Sequence, residues 1–129
     1  MKYFGIVLLA SLLILSCNKI EGEGGTSSII GTLTVNEFKN SDGTLKATYP
    51  GADEDVYIIY GGDNTTYNDK ISTSYDGSYR IDNLVAGTYK LFSYSQCNLC
   101  PSGSEEIIVE VTISKKGEVV TAPKLIIEK

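Results

Sequence analysis

The sequence contains no histidine and no tryptophan among its 129 residues. Without histidine it cannot carry a Ser-His-Asp or Cys-His catalytic set, a zinc site that includes imidazole, or an imidazole pH switch. Basic residues are also few, with 11 Lys and Arg against 16 Asp and Glu and a formal net charge of −5. Because phosphate neutralisation requires clustered basic side chains, a nucleic-acid partner is not expected. The composition therefore excludes these histidine-dependent chemistries and argues against a nucleic-acid partner.

The residue types that are present favour a small all-β domain. Thirteen glycines and nine tyrosines are typical of short strands and turns. Hydrophobic residues make up 42% and charged residues 21%, which is a globular composition. A chain of this length is sufficient for one compact sandwich or barrel, but too short for two ordinary domains.

The amino-terminal segment is apolar from Tyr3 to Leu15 and is preceded by the single basic residue Lys2. As a helix, at about 1.5 Å per residue, this run would span roughly 20 Å, which is short of the about 30 Å of a bilayer core. A positive charge, a short apolar segment and a small residue at its end are typical of a secretory signal. Residues 1–16 are therefore predicted to be a signal peptide.

The apolar run ends at Ile14-Leu15-Ser16-Cys17, which resembles the bacterial lipobox. This resemblance implies cleavage before Cys17 and acylation of its thiol and its new amino group, palmitate included. The alternative is an ordinary envelope cysteine behind a plain signal. Two or more acyl chains anchor stably, so a triacylated Cys17 would keep the protein on a membrane without help from the fold. Asn18 in place of Asp favours, by resemblance, the outer membrane of a Gram-negative envelope.

Cys97 and Cys100 form a C-x-x-C pair followed by Pro101. Such a pair can be a redox couple, half of a metal site or a small disulfide loop. A metal site needs four ligands, and the sequence has neither a second pair nor a histidine. A redox couple favours a helix amino terminus, whereas this pair follows a strand-like segment. We expect a structural disulfide of an oxidising compartment, and the redox couple stays open as an alternative.

Residues 18–28 follow the predicted lipidated cysteine and are predicted to be a flexible tether. From residue 29 onward, short segments of alternating hydrophobicity recur between turn residues, and no window keeps a helical period. Seven strands are predicted, at 29–35, 55–60, 70–75, 78–81, 88–95, 106–113 and 119–127. This pattern predicts an all-β fold, a seven-stranded Greek-key β-sandwich, over residues 29–129.

Two connections and one break are predicted with the strands. Asp76-Gly77 is the strongest short hairpin signal and is expected to join the strands at 70–75 and 78–81. Residues 36–55 are expected to be a long polar connection, and Pro123 is expected at an edge or a break. The side chains predicted to face inward alternate along the first and sixth strands: Ile29, Gly31, Leu33 and Val35, then Ile107, Val109, Val111 and Ile113.

The stretch from Thr73 to Tyr89 resembles the signature of carboxypeptidase regulatory-like domains, which are transthyretin-like (prealbumin-like) modules. The family pattern is a Thr, then Gly-x-Tyr, a hydrophobic residue, Leu and a second Gly-x-Tyr, and it falls on Thr73, Gly77, Tyr79, Ile81, Leu84, Gly87 and Tyr89. The resemblance covers roughly residues 29–127. It implies a non-catalytic spacer, accessory or interaction module, in which Tyr79, Leu84 and Tyr89 fill the centre of a thin sandwich.

Tyr57, Tyr60, Tyr67 and Tyr75 are the candidate ligand contacts, since together they could form an exposed aromatic platform for sugar rings. The alternative is that these tyrosines simply pack on sheet faces. Acidic and amide groups at 53–55 and 63–64 match no EF-hand spacing, so they are interpreted as solvated loop charges. Neither a metal nor a cofactor is expected.

Together these features predict a non-enzymatic outer-membrane lipoprotein whose β-sandwich serves as a binding or assembly module, with an envelope protein or a glycan as its partner. One alternative is a glycan-binding accessory protein that uses the tyrosine-rich loops. The other is a thiol-redox protein that uses Cys97 and Cys100.

Overall fold

The computed structural model describes residues 20–61 and 66–129. In these two ranges the chain forms nine β-strands: β1 Glu23–Phe38, β2 Leu45–Pro50, β3 Asp55–Tyr60, β4 Asp69–Ser72, β5 Ser78–Leu84, β6 Gly87–Gln96, β7 Ser104–Ile113, β8 Val119–Thr121 and β9 Leu125–Glu128. No helix within the described ranges is long and apolar enough to cross a membrane. The predicted signal peptide and Cys17 lie outside the described residues.

Two sheets make up the described part of the chain, in agreement with the all-β prediction. In the five-stranded sheet, the 16-residue strand β1 pairs antiparallel with β2 and β5 and in parallel with β8 and β9. In the four-stranded sheet, the strand order is β4-β3-β6-β7 and all pairs are antiparallel. Because β1 is long, its first half pairs with β5 and β8 and its second half with β2 and β9.

The core lies between the two sheets and follows the predicted alternation. Ile29, Leu33 and Val35 of β1 are buried, and they share one hydrophobic cluster with Val56 and Ile58 of β3. Their inward positions are two residues apart, as the pleat of a strand requires. Other members of the cluster are Tyr79, Leu84, Tyr89, Leu91, Val111, Ile113, Ala122, Leu125 and Ile127. The predicted inward faces are therefore confirmed, with Ile107 and Val109 half-buried at the rim.

The predicted hairpin at Asp76-Gly77 is wrong. The turn itself forms, because Ser74 N–H donates to the Ser78 carbonyl at 2.8 Å and Gly77 takes a φ of +79°. However, β4 pairs with β3 in one sheet and β5 pairs with β1 in the other. The Gly77 carbonyl accepts a hydrogen bond from Leu33 N–H at 2.8 Å, which draws the chain across to β1. The turn therefore connects the two sheets.

Part of the segment 36–55, predicted as a polar connection, is the strand β2. It pairs with the second half of β1, from Thr34 opposite Pro50 to Phe38 opposite Leu45. Most of its side chains are exposed on both faces, so the sequence shows no alternation of hydrophobicity there. Backbone hydrogen bonds to β1, rather than burial, hold this strand in place.

The predicted tether over 18–28 is too long, and the predicted number of strands is too low. β1 already begins at Glu23, and Ser27 and Ser28 are buried in it. The Ser27 hydroxyl is satisfied by donating to the Lys115 carbonyl, so a buried segment here is compatible with polar side chains. The predicted last strand divides at Pro123 into β8 and β9, which confirms the expected break.

Candidate functional site

The outward side of the four-stranded sheet carries a cluster of aromatic rings. On β3, Val56 and Ile58 point into the core, so Tyr57 between them points outward. On β6, Tyr89 and Leu91 are buried in the core, which places Phe92 and Tyr94 on the outward side. Tyr57 lies directly opposite Phe92 in the ladder, so the outward rings of the two strands are neighbours.

Four rings make up this cluster, and we refer to Tyr57, Tyr67, Phe92 and Tyr94 as the aromatic face. The Tyr57 ring stacks on Phe92, with centroids 4.9 Å apart and an interplanar angle of 11°. Tyr67 and Tyr94 meet Tyr57 edge-on, at centroid distances of 4.7 and 5.4 Å. Aromatic pairs of this kind contribute about 0.5–1.5 kcal/mol each. The rings therefore hold one another in position without a ligand.

Exposure differs across the aromatic face. Phe92 lies at its base and is 6% exposed, whereas Tyr67 and Tyr94 are 48% and 47% exposed. Ile108 of β7 lies opposite Phe92 in the ladder and is also exposed. The aromatic face therefore has a buried base, Phe92, and two half-exposed tyrosine rings, Tyr67 and Tyr94.

Polar and charged groups surround the rings. Burial raises the pKa of Tyr57, and the nearby Asp55 carboxylate raises it further. The Tyr57 hydroxyl therefore keeps its proton at neutral pH and can donate a hydrogen bond. Lys70 Nζ lies 3.9 Å from Asp55 Oδ2 in an exposed pair that contributes little to stability, and Glu106 lies opposite Tyr94. Charged side chains therefore lie beside the rings of the aromatic face.

Two of the four predicted contact residues lie elsewhere. Tyr60 points to the inner side of β3, where its ring meets the buried Tyr89 ring edge-on at 5.9 Å. It lines a hollow of about 280 Å³ between β4 and β5. Tyr75 is 89% exposed in the turn after β4 and is not part of the ring cluster in the described chain. Tyr57 and Tyr67 are brought together, and Phe92 and Tyr94 complete the site.

Cys97 and Cys100 lie in the turn between β6 and β7, with their sulfur atoms at disulfide distance. The Cys97 N–H donates to the Gly103 carbonyl at 2.9 Å, which closes the turn. Glu105 is near the pair, but sulfur atoms bonded to each other do not offer two thiolates to a metal ion. Leu99 at the tip is almost fully exposed. The predicted pairing is confirmed, and the pair does not start a helix.

No protein-family model matches the chain, and no curated protein matches it. Among solved structures, the chain is similar to a Pseudomonas aeruginosa protein whose proposed role is carbohydrate binding. The two share 14% sequence identity with a TM-score of 0.48, over 84% of this chain and 91% of that chain. A likeness of this degree carries no argument about the ligand of this chain.

Proposed function

We propose that this protein is a non-enzymatic, lipid-anchored binding module of the outer membrane, and that its aromatic face binds a carbohydrate. The observation that carries the ligand class is the cluster of Tyr57, Tyr67, Phe92 and Tyr94 on the outward side of β3 and β6. The half-exposed rings of Tyr67 and Tyr94 offer flat apolar surface of the kind that contacts a sugar ring.

The lipid anchor is supported by the sequence at Cys17, which follows the apolar run and the small residue Ser16. Acylation alone would hold the domain at a membrane surface, so membrane attachment would not depend on an apolar face of the domain. The absence of histidine from the sequence also excludes the Ser-His-Asp and Cys-His catalytic sets.

The fold is part of the same proposal, as a carboxypeptidase regulatory-like module with the transthyretin-like Greek-key order. Support comes from Tyr79, Leu84 and Tyr89 of the family pattern, which are all buried at the centre of the core. A further support is Gly77, whose φ of +79° suits the glycine of the pattern.

The size of the aromatic face favours a carbohydrate over a protein. Its rings come from two neighbouring strands, about 4.8 Å apart, and from the adjoining loop. A standard protein interface uses about 20–30 residues on each partner, whereas the aromatic face has four rings. The half-exposed rings of Tyr67 and Tyr94 can contact the apolar faces of sugar rings, while Asp55 and Lys70 can form hydrogen bonds with the sugar hydroxyl groups.

The proposal is tested on a glycan array with the unlipidated chain of residues 18–129. We expect saturable binding to at least one glycan, weakened about fivefold or more in Tyr94→Ala, because an aromatic contact with the ligand contributes about 1 kcal/mol or more. Tyr75→Ala is the matched control, since it removes an exposed tyrosine outside the aromatic face. Equal losses in the two variants, or no saturable binding to any glycan, would contradict the ligand class. Retention of an envelope protein alone would instead favour an assembly role.

A further inference from the structure

Gly22 ties the start of the described chain to the centre of the sandwich. Its N–H donates to the Tyr89 hydroxyl at 2.9 Å, and its carbonyl accepts a hydrogen bond from Val85 N–H at 3.0 Å. Gly22 is buried, and a Cβ at this position would lie only 3.0 Å from the Tyr60 ring. The chain is therefore fixed to the fold from residue 22 onward.

The elements around Gly22 make up one end of the sandwich, and we refer to residues 20–22, 85–87 and 114–118 as the anchor end. The Glu21 side chain packs over Gly87, where a Cβ would clash with it. The turn 114–118 joins the same end, because the Ser27 hydroxyl donates to the Lys115 carbonyl and accepts from Gly117 N–H.

The turn that contains Cys97 and Cys100 lies at the opposite end. β6 runs from Gly87 at the anchor end to Gln96, which directly precedes this turn. Ten residues at about 3.3 Å each separate the two ends by about 30 Å. The aromatic face lies along the same strand, between the two ends.

We propose that the anchor end lies against the lipid surface, with β6 upright and the Cys97–Cys100 turn about 30 Å farther out. This orientation rests on the lipid anchor at Cys17 proposed above. Glu21 is only four positions after Cys17, and a fully extended chain spans at most about 3.6 Å per position, or about 14 Å here. Because this connection is shorter than the distance between the two ends, the Cys97–Cys100 turn cannot take the place of the anchor end at the lipid surface. The aromatic face, which lies along β6, is then directed parallel to the membrane.

The chemistry of the anchor end fits a lipid surface. Ile20, which joins the fixed part to the connection, is 85% exposed and suits the headgroup boundary. The charged groups of the anchor end offset one another: Lys115 and Lys116 against Glu21 and Glu118. The contact is therefore set by the covalent connection and not by attraction to anionic headgroups, so it is insensitive to salt.

Because the chain lacks tryptophan, a single introduced tryptophan reports its own position. The acylated full chain is reconstituted into phosphatidylcholine vesicles that contain a lipid with a nitroxide-labelled headgroup. Ala86→Trp places the reporter at the anchor end, and Leu99→Trp places it on the far turn; both sites are exposed. We expect several-fold stronger quenching of the Ala86→Trp reporter at low and at high salt. Equal quenching of the two reporters would overturn the orientation.

Two controls separate this inference from the anchor itself. The Ala86→Trp variant of the unlipidated chain of residues 18–129 shows neither vesicle binding nor quenching if the anchor is correct, whereas undiminished binding refutes the anchor and the orientation together. A long Gly/Ser insert after Asn18 keeps vesicle binding but lowers the quenching of the Ala86→Trp reporter to that of the Leu99→Trp reporter. Unchanged quenching with the insert would show that the short connection does not set the orientation.

Discussion

Two buried tyrosines of the core offer a matched pair of substitutions that test the structure. Tyr79 and Tyr89 are both almost fully buried and belong to the same hydrophobic cluster. Replacing either by phenylalanine keeps the ring and removes only the hydroxyl. The two hydroxyls differ in their surroundings, so the two substitutions are expected to have opposite effects on the free energy of unfolding.

The Tyr89 hydroxyl donates to the Val85 carbonyl at 2.7 Å and accepts from Gly22 N–H at 2.9 Å. Tyr89→Phe removes a partner from each of these backbone groups, which lowers the free energy of unfolding by about 1–3 kcal/mol. The Tyr79 hydroxyl has no hydrogen-bond partner within the described residues. Tyr79→Phe removes a buried polar group that gains nothing from burial, so it raises the free energy of unfolding by about 1 kcal/mol.

The assay is urea unfolding of the unlipidated chain of residues 18–129, followed by far-ultraviolet circular dichroism at neutral pH. Equal slopes against urea in the three proteins would show that their folded and unfolded states are comparable. The reasoning is refuted if Tyr79→Phe destabilises the protein as much as Tyr89→Phe does, or if Tyr89→Phe has no effect.

Two further predictions concern alkaline pH and the disulfide. Burial raises the pKa of Tyr79 to about 12, whereas an unfolded tyrosine titrates near 10. The free energy of unfolding is therefore highest below about pH 10 and falls by about 2 kcal/mol as the pH rises to 12; urea unfolding at several pH values should show a smaller fall in Tyr79→Phe. Replacing Cys97 and Cys100 by serine should lower the free energy of unfolding by about 2 kcal/mol at most, because the closed loop is short, and leave the far-ultraviolet spectrum unchanged; loss of the strand signal would contradict this.

The strands that could be predicted from the sequence are those that bury one face. β3 matches its prediction at both ends because Asp55–Tyr60 is a dense run of β-forming residues with an inward side. β2 could not be predicted, because its side chains are exposed on both faces and give no alternation, although its partner β1 directly precedes it in the chain. The start of β1 could not be predicted for the opposite reason. Ser27 and Ser28 are buried there, but polar residues of this kind are typical of an exposed tether.

The candidate site was predictable in part. Tyr57 and Tyr60 are three residues apart on one strand, so the pleat alone assigns them to opposite faces. Phe92 and Tyr94 lie on the same side of β6 as Lys90, opposite the inward Tyr89 and Leu91. The alternation along β6 therefore does predict their outward position. The contact of Tyr67 with Tyr57 depends on the path of the loop before β4, and spacing cannot show it. The bond between Gly22 and Tyr89 spans 67 positions and is equally invisible to local patterns.

The most direct test of the central claim is to locate the bound carbohydrate on the domain by nuclear magnetic resonance. The glycan selected on the array is titrated into the isotope-labelled chain of residues 18–129, and the backbone amide shifts are followed. The largest shifts are expected at Tyr57, Phe92 and Tyr94, on the outward side of β3 and β6. Shifts confined to the Cys97–Cys100 turn or to the five-stranded sheet would contradict the assignment of the aromatic face as the binding site.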